Sequence, residues 1–174
     1  MYCFPCFVFI MVLLASVLYI EIAFGESDKA VAEEVAKRIR SYAFFTVYDD
    51  LEMAVHKGHV QLTGRVTMPY KAEQIEKRAS KVFGVHSVTS EIRTLPVSIG
   101  DDRLRAALTY RIYGNSNFIE YRSWVNPPIH IVVENGRVTL TGAVRTRVES
   151  RLAESIARST FGVFNVENRL QVGG

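Results

Sequence analysis

Along residues 28–173 the apolar positions change period in a fixed order, helical, then alternating, then helical, then alternating, and that order occurs twice. In the first pass Val31, Val35, Ala36 and Ile39 fall on one face of a helix that Asp28 can cap. Leu51, Met53 and Val55 then alternate with polar neighbours, Lys57-Gly58 makes a tight turn, and Val60, Leu62 and Val66 return, which predicts a hairpin. Pro69 suits the first turn of a second helix with Ala72, Ile75, Ala79 and Val82 inward. Phe83-Gly84-Val85 is expected to end that helix, with Gly84 at its C-terminus, and Val88, Glu91 and Ile92 lie in a last strand.

The second pass repeats the first. Gly58 to Val66, GHVQLTGRV, returns as Gly136 to Val144, GRVTLTGAV, at an offset of 78. At the same offset Glu76, Ala79, Phe83, Gly84, Val85 and Val88 meet identical residues at Glu154, Ala157, Phe161, Gly162, Val163 and Val166. Upstream the register slips by five, so that Val31, Val35 and Ile39 correspond to Leu104, Leu108 and Ile112. The extra residues of the second copy lie within 114–128. Asp101 or Asp102 is its expected cap, Leu104 to Tyr113 its first helix, Ile129 to Val133 its first strand and Asn135-Gly136 its turn. A second helix from about Val148 to Thr160 and a closing strand Asn165 to Val172 complete it.

The expected fold class is therefore α+β. Two tandem αββαβ domains, each a three-stranded mixed sheet packed on two helices, occupy 26–95 and 101–174, joined by a linker at 96–100. Gly58, Gly64, Gly84, Gly136, Gly142 and Gly162 are expected to serve backbone geometry, because a glycine inside a strand marks a bulge or a close backbone approach.

The N-terminus changes the picture of compartment. Phe4 to Ile20 carries no charge, and its 17 residues reach about 25 Å as a helix, short of a hydrocarbon core of ~30 Å. Residues 1–25 thus read as a signal peptide with cleavage after Gly25, or as an N-terminal anchor, although no Lys or Arg precedes the apolar run. Both cysteines, Cys3 and Cys6, lie there, so the remainder has no thiol chemistry and no disulfide. Loss of Glu21 with the leader moves the formal net charge from +3 to +4, mildly basic.

The Gly-x-Val-x-Leu-Thr-Gly-x-Val core at Gly58 to Val66 and Gly136 to Val144 resembles the BON domain family, named for a bacterial osmotically induced protein and nodulation. So do the following helix and Phe-Gly-Val-x-x-Val at Phe83 to Val88 and Phe161 to Val166. The resemblance covers nearly all of residues 28–173. It implies exported proteins of the bacterial envelope or periplasm, linked to stress response, that attach to phospholipid membranes and carry no catalytic residues.

Candidate chemistry agrees with a non-enzymatic reading. Nucleophile-elbow, phosphate-loop and dinucleotide motifs do not occur, and no cofactor is expected. His56-x-x-His59 at the first hairpin reads as a solvated turn, because structural zinc needs four close ligands. Asp49, Asp50 and Glu52, clustered before a strand, read as cap or loop carboxylates. Nucleic acid is not an expected partner, since no Gly-x-x-Gly loop joins paired helices. Basic and aromatic residues interleave in the second unit's first helix and insertion: Arg103, Arg105, Tyr110, Arg111, Phe118, Tyr121, Arg122 and Trp124. Rings with polar edges settle at headgroup level while arginine attracts anionic lipid, so these eight are the candidate lipid-binding residues. The competing reading folds Trp124 inward to seal the second unit. The rival class is a protein-interaction or assembly module of the envelope with protein partners; oligomeric state is left open.

Overall fold

The computed structural model describes residues 27–173, so the apolar leader lies outside the described residues. The first unit comprises α1 (27–40), β1 (Asp50–His56), β2 (His59–Val66), α2 (Pro69–Ala79) and β3 (Ser87–Thr94). The second comprises α3 (Ile99–Tyr113), a single 3-10 turn (Ser116–Phe118), α4 (Ile119–Arg122), β4 (Ile129–Glu134), β5 (Arg137–Val144), α5 (Arg147–Arg158), β6 (Asn165–Asn168) and β7 (Gln171–Val172). Both are α+β units with small mixed sheets: β1 runs antiparallel to β2 and β2 parallel to β3, while β4 runs antiparallel to β5, which pairs in parallel with β6 and β7. Among the described residues no helix is long and apolar enough to cross a membrane.

Long-range contacts account for several departures from the sequence reading. The closing strand expected as one piece is split, because Asn168 Oδ1 accepts the N–H of Leu170 while its amide donates to Ser150 and Glu154 on α5. The second sheet therefore has four strands, and its insertion adds a short helix. Ser98, not Asp101 or Asp102, caps α3 by accepting the N–H of Asp101. Asp28 and Asp101 instead reach across to the hairpins, where they accept the backbone N–H groups of Lys57 and Gly58, and of Asn135 and Gly136. Both turns have positive φ at each central residue, the type I′ geometry that matches strand twist. The Lys57 and Gly58 N–H groups hold the Asp28 carboxyl below its ordinary value. Finally, α2 stops at Ala79, with Gly84 several residues beyond it in an open turn.

Gly64 and Gly142 report close backbone approach without a bulge: pairing runs unbroken through Leu51↔Gly64, and Ile129↔Gly142 is the one-to-one pair that ends the β4–β5 ladder. At Gly142, with φ of 97°, a methyl group would collide with the Pro128 carbonyl oxygen. Gly142→Ala is expected to cost at least about 2 kcal/mol, strain and collision together. Gly100→Ala, inside α3 with ordinary space around it, is expected to gain roughly 0.5–1 kcal/mol. Urea titration of the two variants checks the opposite signs; a neutral Gly142→Ala would remove the close-approach explanation.

Each unit encloses its own core. Val35, Leu62, Ile75 and Ala79 centre the first, and Leu108, Ile112, Phe118, Tyr121, Ile131 and Leu140 the second. The units meet where the chain entering β1 runs against β4. There the Ile131 N–H donates to the Val47 carbonyl at 2.6 Å, His130 Nδ1 donates to the Asp49 carbonyl at 2.6 Å and the Thr141 hydroxyl donates to Asp50 at 2.8 Å.

Candidate functional site

The second unit's first helix positions the candidate residues by its period. Leu104, Leu108 and Ile112, at i, i+4 and i+8, are buried on the core, which leaves Arg103, Ala106, Ala107, Tyr110 and Arg111 exposed. Arg105 lies on the inner side: it pairs with Asp102 and its Nη2 donates to the Val133 carbonyl at 2.6 Å, fastening α3 to β4. At the helix end the Tyr113 hydroxyl donates to the Ile129 carbonyl at 2.6 Å and accepts the Ile129 N–H. Burial pushes that hydroxyl's pKa up, against the opposing effect of its hydrogen bond.

The insertion divides its aromatics. Phe118 is fully buried and stacks on Tyr121 with centroids 6.1 Å apart. The Tyr121 hydroxyl donates to Glu149 at 2.7 Å and accepts the Arg145 N–H at 3.0 Å, while the Arg145 guanidinium lies 5.1 Å over its ring. Burial opposes ionisation of Glu149, but the Tyr121 hydroxyl and the N–H groups of Arg145 and Thr146 outweigh it and hold the carboxyl below its ordinary value. Trp124 sets its edge against Tyr121 and stays 51% exposed, bordering a cleft of about 850 Å³ between the units with Arg40, Phe45 and His130. Arg122 is exposed and has no ion-pair partner among the described residues.

Of the eight candidates, Arg105, Phe118 and Tyr121 are thus interior in this fold and hold the second unit together. Arg103, Tyr110 and Arg111 share the outer face of α3, and Arg122 and Trp124 lie at the end of the insertion. Sequence reasoning missed Phe161 and Phe164, which are 100% and 83% exposed on the turn after α5. An aromatic beside a glycine at a helix end reads as core; the contrary signal was that Ala153, Ala157 and Val166 already fill the inward positions.

The two first helices differ outside in a telling way. With Val31 matched to Leu104, α1 carries Glu33, Glu34 and Lys37 where α3 carries Ala106, Ala107 and Tyr110. Glu34 sits within 4 Å of both Lys37 and Arg38, a mixed, self-neutralised face. On α3 the only exposed acid is Asp102, and Arg105 neutralises it. The outer face of α3 is therefore basic and aromatic with no free acid.

Two tandem α+β units with small mixed sheets make up the described chain, and the second carries a basic and aromatic helix face that the first lacks. The chain belongs to the BON domain family, whose BON domain profile matches residues 27–96 and 115–174. In keeping with that family it is a non-enzymatic protein that binds phospholipid membrane surfaces. No curated protein matches the chain. Among solved structures it is similar to the C-terminal domain of CdsD, the structural protein of the type III secretion system of Chlamydia trachomatis, at 15% identity and a TM-score of 0.34, covering 84% of this chain and 67% of that one. A second CdsD structure from Chlamydia trachomatis gives 16% identity and a TM-score of 0.32, covering 82% of this chain and 62% of that one. At these scores neither likeness bears on function.

Proposed function

We propose that the chain is exported, acts at the bacterial envelope with 1–25 as signal peptide or anchor, and meets anionic phospholipid through the outer face of α3. The observation that carries this is the contrast between the repeats: on α3 Arg103, Tyr110 and Arg111 stand beside Ala106 and Ala107, where α1 carries the acids Glu33 and Glu34. Each cation near an anionic surface contributes about 1 kcal/mol, and Tyr110, 82% exposed, has the polar edge that suits headgroup depth. Arg122 extends the basic character toward the insertion.

Among the described residues both cores draw their buried side chains from Val31 to Val166, and residues 26–174 retain all of these. In flotation, that chain is expected to bind vesicles containing phosphatidylglycerol and to leave neutral ones unbound. Arg103→Ala with Arg111→Ala is expected to weaken binding about 30-fold. Binding falls as salt shortens the screening length from ~10 Å at 0.1 M to ~3 Å at 1 M. Equal flotation with neutral vesicles, or at both salt concentrations, would end the electrostatic account.

One observation favours assembly as a second role. The outer edge of β3, eight residues from Ser87 to Thr94, pairs with no strand among the described residues and offers a backbone template to another chain. Light scattering of the lipid-free chain tests it; a monomer at every concentration counts against it.

A further inference from the structure

The turn from Thr160 to Phe164 lies along α3, opposite in direction. Arg111 donates to the Ser159 carbonyl and hydroxyl at 3.1 and 3.0 Å, Gly162 faces Leu104, and the Phe164 N–H donates to the carbonyl of Gly136, the residue that Asp101 holds. Phe161 and Phe164 therefore stand beside the helix face that carries Arg103, Tyr110 and Arg111. Water surrounds the Phe161 ring completely, an arrangement with no benefit to the fold, since exposing a phenyl group forfeits the gain of burying it.

We infer that the Thr160–Phe164 turn is a wedge that inserts into an anionic phospholipid bilayer, with Phe161 and Phe164 entering the acyl boundary while Arg103 and Arg111 stay among the phosphates. The inference rests on the phospholipid reading above and assigns its apolar half to residues outside α3. A bilayer fits the shape, because the Phe161 ring projects from a tight turn, with the largely exposed Phe164 ring resting against Gly136 behind it, and a soft apolar phase can receive a projecting tip without a preformed pocket. Within the turn the N–H groups of Thr160, Val163 and Phe164 are paired within the protein. The first unit is the internal comparison. Phe83 is 99% exposed at the matching position, but His86 stands where Phe164 does, and α1 beside it bears Glu33 and Glu34.

Because Cys3 and Cys6 are the only cysteines, residues 26–174 offer a cysteine-free background for a single reporter. Phe161→Cys and, separately, Phe83→Cys would carry an environment-sensitive NBD label on vesicles of phosphatidylglycerol and phosphatidylcholine. The label at 161 is expected to shift to the blue and be quenched by lipids with a nitroxide high on the acyl chain, and the label at 83 is expected to do neither. Unlabelled Phe161→Ser with Phe164→Ser is expected to partition at least about tenfold more weakly with an unchanged melt. If the parent floats while the label at 161 stays in water and the double variant binds as the parent does, the wedge is overturned and the α3 reading stands. Absence of flotation by the parent overturns both. Equal quenching at 83 and 161 overturns the assignment to the second unit.

Discussion

Asp49→Ala is expected to remove about 3–5 kcal/mol of stability, because it strands a buried ammonium group. Asp49 is fully buried, and its carboxylate receives the Lys71 ammonium at 2.7 Å, the N–H and hydroxyl of Thr46 at 2.8 and 2.9 Å, and those of Thr67 at 2.8 and 3.0 Å. Lys71 is itself buried and would keep only the Thr67 hydroxyl at 2.7 Å. At the size of this chain the loss corresponds to a fall of roughly 6–20 °C in Tm. Lys71→Met should cost less, since the four donors from Thr46 and Thr67 remain on the carboxylate. The carbonyl of Asp49 also accepts from His130 and the neighbouring Asp50 from Thr141, so the same short segment binds the second unit. Spectroscopic probes in both units are thus expected to shift together in the Asp49→Ala melt. A loss of about 1 kcal/mol or less, the worth of an exposed pair, would show that Asp49 is no clasp.

That clasp marks where sequence reading runs out. The hairpins were legible because Lys57-Gly58 and Asn135-Gly136 are local turn chemistry flanked by strict alternation, and the tandem organisation because two copies check each other. Asp49 read as a cap or loop carboxylate, since its partner lies 22 residues on and nothing local announces it. Asp28 and Asp101 misled for the same reason: an aspartate before a helix is a good cap on local grounds, yet each has its partners in a hairpin about 30 residues downstream. At the candidate site, Arg103, Tyr110 and Arg111 could be put on one face by helical spacing alone. Phe118 and Tyr121 could not be placed, because the insertion has no counterpart in the first unit and no period of its own. Phe161 was visible in the repeat, but a repeated residue states that a position matters, not whether it faces the core or the solvent.

The insertion's aromatics give the test that separates holding the fold from touching lipid. Phe118→Ala is expected to cost about 3–5 kcal/mol, the usual loss for emptying a fully buried phenyl site. Its ring supports Tyr121, and Tyr121 takes up the Arg145 N–H and the Glu149 carboxylate at the start of α5. Tyr121→Phe keeps the ring and forfeits the hydroxyl, for about 1–2 kcal/mol. In the first unit the equivalent of Glu149 is Lys71, whose partner is Asp49; in the second the insertion supplies Tyr121 to the same place, so one structural task is met with opposite charge. Flotation of whatever fraction remains folded is expected to match the parent for both variants, because neither side chain reaches the surface. Urea titration beside flotation at a temperature where the variants stay folded reads the two properties separately. A Phe118→Ala chain that melted like the parent but no longer floated would reverse the assignment, returning the insertion to the lipid surface and removing Phe118 from the core.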